Sequence, residues 1–368
     1  MSDKKPIRIA QIIGKMWAGG VEAVAFNYYR AIDHSKIQFD FFYDSDSTVE
    51  PPQDLIDMGA RFIKMPPYQQ VWKYVPELRK KLCENKYTIV HSHLNTISVI
   101  PLFAAWCAKI PVRIAHNHSV PGGNEWRRNI AKAVLKKFSK VFATDYFACS
   151  EKAGRWLFGD KEYDKGNVTV IKNAIDFSKF QISEADITVL QNELGIEDEN
   201  VVYGHVGRFT FAKNHEKLLE IFKIIHERNE KARLLLVGDG ELRENITNKI
   251  NALRISEAVI MVGKVNKPEI YYSVIDAVIL PSVFEGFSMT TIEAQASGCP
   301  IVVSDAVPDE AMISDGCSSL PVTATNYEWA NVAENLIGKK VTLDNRADAF
   351  DIHKCAGRLE ELYEAKLK

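Results

Sequence analysis

No apolar run in this 368-residue chain approaches the roughly 20 residues that a membrane-spanning helix needs. The opening segment, MSDKKPIRIAQII, passes from charge directly into a strand pattern. It carries no signal-peptide apolar region and no small-residue cleavage site, so the expected location is the cytoplasm. Cysteine is sparse and scattered, at positions 83, 107, 149, 299, 317 and 355, with no Cys-x-x-Cys pair. In a chain of this length such residues read as reduced thiols that mostly fill core. Low-complexity tracts and short fixed-period repeats are also missing, which excludes a repeat architecture. Nor does either charge dominate: the net is −2, with 46% hydrophobic and 26% charged residues. That is ordinary globular composition, and the length suggests two domains.

The near-neutral total hides an asymmetry. Residues 1–180 carry a net +9 and the remainder −11. Two bodies with different tasks would show this, as would drift in surface charge.

What is present is an alternation of short β-rich apolar runs with helical patterns. IRIAQII (7–13), QFDFFY (38–43), RFIKM (61–65), TIVHSH (88–93), VRIAHNH (112–118), YFACS (146–150) and VTVIKN (168–173) read as strands. Segments such as VEAVAFNYYRAI and TISVIPLFAAWCAKI between them have helical length and period. After the polar, turn-forming break NAIDFSKFQISEAD the pattern restarts with VVYGHVGR, ARLLLVGDG, AVIMVGK, DAVILPS and PIVVSD. This predicts an α/β fold of two doubly wound parallel sheets with helices on both faces. The expected domains are 1–175 and 176–345, with a C-terminal helix over about 346–368 that packs back on the first or else on the second. Ligands bind outside the carboxyl ends of such strands, and two sheets facing each other would make a cleft.

Three stretches offer chemistry at strand ends. In IIGKMWAGGVEAVA a strand gives way to a glycine loop and a helix. Gly19 and Gly20 would let backbone approach a phosphate or a carbohydrate oxygen, or they serve packing alone. In VGRFTFAKNHEKLL, Gly207 and Arg208 follow a strand and Lys213 closes the loop. Two fixed cations there suit a diphosphate, although solvated surface charges would look the same. In PSVFEGFSMTTIEAQASGCP, Glu285 and Glu293 sit eight apart around a Gly-Phe-Ser turn. Gly286 permits the turn, and the amides of Phe287, Ser288 and Met289 would point from the start of a new helix. Carboxylates accept paired sugar hydroxyls well. A capping glutamate and a solvated one would give the same pattern.

The combination GRFTFAKNH, LLLVGDGELRE and DAVILPSVFEGFSMTTIEAQASGCPIVVSD resembles the retaining glycosyltransferases of family 4. These have the GT-B fold, two Rossmann-like domains facing a cleft. Glu285 and Glu293 match the family's Glu-x7-Glu motif; Gly207, Arg208 and Lys213 match its Gly-Arg…Lys motif; Gly19 and Gly20 match its N-terminal Gly-Gly loop. VIKNAIDFSKF resembles the interdomain segment, with Lys172 in place of Pro and Ala174 in place of Gly. The resemblance covers essentially the whole chain and is looser in the first half. It implies that Arg208 and Lys213 bind the donor diphosphate, Glu293 the ribose, and Glu285 the transferred sugar. Gly286, Phe287, Ser288 and Met289 would line the donor. It also implies a histidine near that sugar. Residue matching leaves His116 and His118 both open, and His118 lies nearer the strand's end.

Other motifs are weighed against these. His91 with His93, and His116 with His118, each share a strand face, but neither tetrad holds a Cys, Asp or Glu, so no metal or other cofactor is expected. Asp44 and Asp46 in DSDS read as a solvated acidic turn. EWRRNIAKAVLKKFSKVF reads as a basic amphipathic helix. Trp126, Arg127, Arg128, Lys132, Lys136 and Lys137 would meet an anionic membrane surface or a lipid-linked acceptor, or the helix simply packs on the sheet.

The expected function is a metal-independent retaining glycosyltransferase. It would move a hexose from a nucleotide-diphosphate sugar, by default UDP, to a carbohydrate or lipid-linked acceptor in surface polysaccharide assembly. No nucleic-acid partner is expected, and peripheral contact with the inner face of the plasma membrane is. The alternatives are a nucleotide-sugar 2-epimerase of the same fold and a non-catalytic subunit.

Overall fold

Seven parallel strands build the first sheet: β1 (Ile7–Gly14), β2 (Ile37–Asp44), β3 (Arg61–Met65), β4 (Ile89–Ser92), β5 (Val112–Asn117), β6 (Asp145–Ala148) and β7 (Val168–Val170). Their spatial order is β3-β2-β1-β4-β5-β6-β7. Six more build the second: β8 (Val201–Val206), β9 (Ala232–Val237), β10 (Val259–Gly263), β11 (Ala277–Leu280), β12 (Ile301–Ser304) and β13 (Cys317–Leu320), ordered β10-β9-β8-β11-β12-β13. This computed structural model describes residues 6–17, 20–118 and 133–367. The chain falls into two compact units, Met1–Ile175 with Ala349–Lys368, and Asp176–Asp348.

The central strands are apolar runs because helices cover both faces. Every residue of β2, IQFDFFYD, is buried. Its charged member Asp40 is held by Arg8 at 2.6 Å and by the Tyr87 hydroxyl. In each sheet the strand order reverses once, between β1 and β4 and between β8 and β11. At such a point the loops leaving two neighbouring strands diverge to opposite faces and open a crevice.

The C-terminal helix Ile352–Ala365 joins the first unit. Ile352, Ala356, Leu359 and Tyr363 recur every three or four residues, and all four are buried. They meet Phe26, Tyr29 and Phe39 in one core. Asp351 caps the helix by accepting from the His353 amide. In the second unit the core gathers Leu218, Phe222 and Ile225 against β9 and Trp329.

Two expectations are corrected here. Strand β13, CSSL, is a short sheet-edge strand without an apolar run, so no strand pattern announced it. Asp44 is the last residue of β2 and is 1% exposed, not a solvated turn. Burial raises its carboxyl pKa to about 7; the Tyr68 amide opposes this, Asp46 adds to it and Lys15 opposes it. The folded state therefore holds the proton more tightly than the unfolded chain, whose Asp titrates near about 4. Stability from this group is complete below that pH and is lost as pH rises through about 7. Asp44→Asn should thus stabilise the protein at pH 8, by roughly 4 kcal/mol at most, and be neutral near pH 4. Denaturant melts at the two pH values decide it; an equal effect at both would rule out the buried-proton account.

Candidate active site

The crevice of the second unit is built from the loops that leave β8 and β11. After β8 the chain runs through Gly207 and Arg208 into a short 3-10 turn, Phe211–Lys213. Asn214 then turns back in a left-handed conformation, φ +55°, with its side-chain amide on the Pro281 carbonyl at 3.0 Å. The Val283 amide donates to the Ala212 carbonyl at 2.9 Å. The two loops are therefore tied together backbone to backbone. Gly238, at φ +140°, lies so close behind that a Cβ there would sit 1.9 Å from the Gly207 carbonyl oxygen. Only glycine lets the loop after β9 lie against this one.

That framing brings Lys213 to Glu285. The ammonium lies 2.8 Å from Glu285 Oε1, which also accepts from the Ser282 hydroxyl at 2.7 Å. Both side chains are mostly buried, 16% and 9% exposed. Arg208 is exposed on the same loop. The helix Met289–Ala296 begins after Ser288, whose hydroxyl caps it by accepting from the Thr291 amide at 3.3 Å. The Thr290 hydroxyl donates to the Val206 carbonyl at 2.9 Å, which pins the helix start to the end of β8. Gly286 and buried Phe287 form the turn between Glu285 and this cap. The first-turn amides of such a helix have no carbonyl one turn back, so they present partial positive charge.

Glu293 follows on the same helix. Its Oε2 accepts from the Tyr272 hydroxyl at 2.8 Å. Burial raises its pKa; the Tyr272 hydrogen bond lowers it, Glu269 raises it and Lys213 lowers it. Its coupling to Lys213 links the second glutamate electrostatically to the first pair. Behind the loop, His205 and His215 are neutral, both lowered chiefly by burial, His215 to about 4.

In the first unit the corresponding crevice lies beside β1 and β4. Gly14 ends β1 and Gly20 opens the helix Gly20–Ala31. A side chain at Gly20 would meet nothing within 4 Å among the described residues, so packing does not demand that glycine. Gly19 lies outside the described residues. Four histidines on β4, β5 and just beyond them stack in the core: His91, His93, His116 and His118. Nitrogens of His91, His93 and His116 lie within 4.8 Å of one another. His116 sits inside β5 and bonds His91 at 3.0 Å. His118 is the first residue past β5, with its amide on Asn95 Oδ1 at 2.7 Å.

Of the basic segment, Trp126, Arg127, Arg128 and Lys132 lie outside the described residues. Lys136 is half-buried, its ammonium 5.1 Å from the centre of the Trp156 ring, and Lys137 is exposed. Val134, Phe138 and Val141 are exposed beside them. Phe142 packs on Phe103 and on Trp106, itself half exposed. No helix among the described residues is long and apolar enough to cross a membrane.

The sequence did not point to Ser282, Tyr272, Gln11, Asn173 or Tyr363. Ser282 closes the strand run DAVILPS, three residues before the Glu285 that it bonds. The others lie far along the chain from the groups they bond, and no local spacing marks them.

Residues 18–179 match the family described as Glycosyltransferase Family 4, and residues 186–335 the one described as Glycosyl transferases group 1. EpsF of Bacillus subtilis (strain 168), named as a glycosyltransferase, is 29% identical over 82% of this chain and 80% of its own. The UDP-Gal:alpha-D-GlcNAc-diphosphoundecaprenol alpha-1,3-galactosyltransferase of Escherichia coli is 23% identical over 98% of each. Anabaena HepE, crystallised with UDP-glucose, superposes with a TM-score of 0.73 over 97% of this chain and 95% of its own. At 19% identity that likeness shows the fold alone, a GT-B arrangement of Rossmann-like domains. Matched by these two families along most of its length, the chain is a GT-B glycosyltransferase and belongs to family 4.

Proposed function

We propose that the chain transfers a hexose from a UDP-sugar to a carbohydrate or lipid-linked acceptor, with retention and without a metal ion, in surface polysaccharide assembly. The observation that carries this reading is the Lys213–Glu285 pair where the second sheet reverses, 2.8 Å apart and mostly buried. Lys213 and Arg208 would take the donor diphosphate, and Glu285 a hydroxyl of the transferred sugar. The amides from Gly286 to Met289 would line the donor, and Glu293 would hold the ribose. As the glycosidic bond to phosphate breaks, negative charge grows on the leaving diphosphate. Two cations and a helix start aimed there stabilise it without a metal. UDP is supported by the named donor of the Escherichia coli relative and by the ligand of Anabaena HepE. The lipid-linked acceptor is supported by the diphosphoundecaprenol in that relative's name.

Contact with an anionic membrane belongs to this proposal. Val134, Phe138, Val141 and Trp106 are exposed apolar groups near Lys137 and Lys140. Reversing Lys136 and Lys137 to Glu should at least halve sedimentation with anionic vesicles. Unchanged sedimentation would leave this helix structural.

A thermal-shift panel of UDP, GDP, ADP and TDP with their sugars, with and without EDTA, tests the donor reading. A ligand that binds only the folded state raises its apparent stability. UDP and its sugars should raise the melting temperature equally in both conditions. A shift that EDTA abolishes would overturn the metal-free clamp and return attention to the histidine cluster.

A further inference from the structure

Beside the turn that carries Lys213, the second unit holds a cavity of about 330 Å³ between the first turns of two helices, His215–Arg228 and Arg243–Leu253. That volume is in the range of small-ligand pockets. Leu219, Leu242 and Ile246 give it an apolar floor, and Leu219 and Ile246 are buried. Phe211 forms one wall. It stands on the same three-residue turn as Lys213, and its side chain is 62% exposed. His215 also lines the cavity. It is 2% exposed, and neither of its ring nitrogens has a hydrogen-bond partner among the described residues. Asn245 and Glu216 are exposed lining residues, so the cavity opens to solvent along them.

The chemistry of these groups narrows the ligand. Burial, and after it the nearby Lys213 ammonium, hold the His215 pKa down at about 4, so the ring is neutral at neutral pH. A neutral imidazole offers one N–H and one lone pair. Each costs about 1–3 kcal/mol if it stays buried and unpaired. A hydroxyl both donates and accepts, so hydroxyls satisfy both nitrogens. A phosphate only accepts and an ammonium only donates, and either would leave one nitrogen unpaired. The charges in the cavity are already engaged with one another: Lys249 lies 2.7 Å from Glu220 Oε1 and 3.5 Å from Glu216 Oε1. A charged ligand would have to break that set, whereas an uncharged one leaves it in place. The apolar floor and the Phe211 ring call in addition for a C–H face, which packs on the negative face of an aromatic ring.

An uncharged ring with a C–H face and hydroxyls around its edge is a pyranose. We propose that this cavity is a second saccharide site, which takes a neutral pyranose unit of a glycan chain outside the donor crevice. The C–H face of the sugar lies on Phe211 and the floor of Leu219 and Ile246. Its inner hydroxyls bond the two nitrogens of His215, and its outer ones reach Asn245 and Glu216, past which the chain continues into solvent. Asn245 and Lys249 are four apart on one helix, and His215 and Leu219 four apart on the other, so each pair shares the face that meets the cavity. The site does not depend on the donor or the acceptor proposed above.

The test follows the ring nitrogens of His215 by long-range ¹H–¹⁵N correlation, on the full chain with ¹⁵N-labelled histidine at neutral pH. His215→Gln assigns the signals. Methyl pyranosides of glucose, galactose and N-acetylglucosamine are added to about 100 mM, enough to fill a site of millimolar affinity. At least one of them should move the His215 signals saturably, and glycerol at the same concentration should not. Asn245→Trp, which blocks the opening, and Phe211→Ala, which removes the aromatic wall, should each weaken that binding about tenfold. Both positions are exposed, so neither change strikes the core. His215 signals that stay still with every pyranoside, or that move as far with glycerol, overturn the proposal. So does binding that survives unweakened in either variant. A response lost in Glu285→Ala would place the sugar in the donor crevice and overturn the second site, while the transfer reading would stand.

Discussion

A Glu285→Ala variant should lose about 100- to 1000-fold in sugar transfer while binding nucleoside diphosphate at least as well as the parent. The resting geometry is the reason. Glu285 Oε1 is shared between the Lys213 ammonium and the Ser282 hydroxyl, in a mostly buried setting. In the proposed reaction the donor exchanges these contacts: diphosphate takes Lys213, and a sugar hydroxyl takes Glu285. Removing the carboxylate frees Lys213 for phosphate and deletes the hold on the sugar where charge changes. Glu285→Gln keeps the shape and removes the charge, so it should show the same split with less strain. The check is kcat and KM by product formation together with calorimetric affinity for UDP. Asp46→Ala is the control, since Asp46 is exposed and paired only with Lys15 among the described ion pairs. Equal losses in the two variants would remove Glu285 from the site.

Replacing Lys213 by alanine should weaken UDP binding by about 10- to 100-fold, the worth of one or two charge-assisted hydrogen bonds. Two effects add. The phosphate loses its cation, and Glu285 is left mostly buried beside it without a counter-charge. The second effect makes a sharper test than the first. Adding Glu285→Gln to Lys213→Ala should recover part of the UDP affinity, because the uncompensated carboxylate is gone. Sites in direct contact couple in this way, and a double-mutant cycle reads the coupling. Strict additivity would mean that the pair does not share the ligand.

How much of this was legible beforehand depends on how far apart the partners lie in sequence. The twelve apolar runs that read as strands overlap β1 to β12, because a strand covered on both faces must be apolar along its own length. β13 was missed because an edge strand carries no such demand. The helix start at Met289 was readable from Gly286 and Ser288, since a cap acts within three residues. Asp44 was misread because its local signal, Asp-Ser-Asp-Ser, is that of a turn; its burial comes from what packs around the end of β2.

The site divides along the same line. Glu285, Gly286 and Ser288 stand together in the chain, so sequence alone determined that a carboxylate, a turn and a helix start share one strand end. Lys213 and Arg208 were visible as cations after β8. That Lys213 meets Glu285, 72 positions away, follows from β8 and β11 being neighbours where the sheet reverses. Tyr272 on Glu293 and Tyr363 on Gln11 were decided the same way. Hydrophobic period and capping are local properties of a chain and can be read from it. Which strand ends become neighbours, and what each buried polar group then finds to bond, is settled only when the sheets and helices pack.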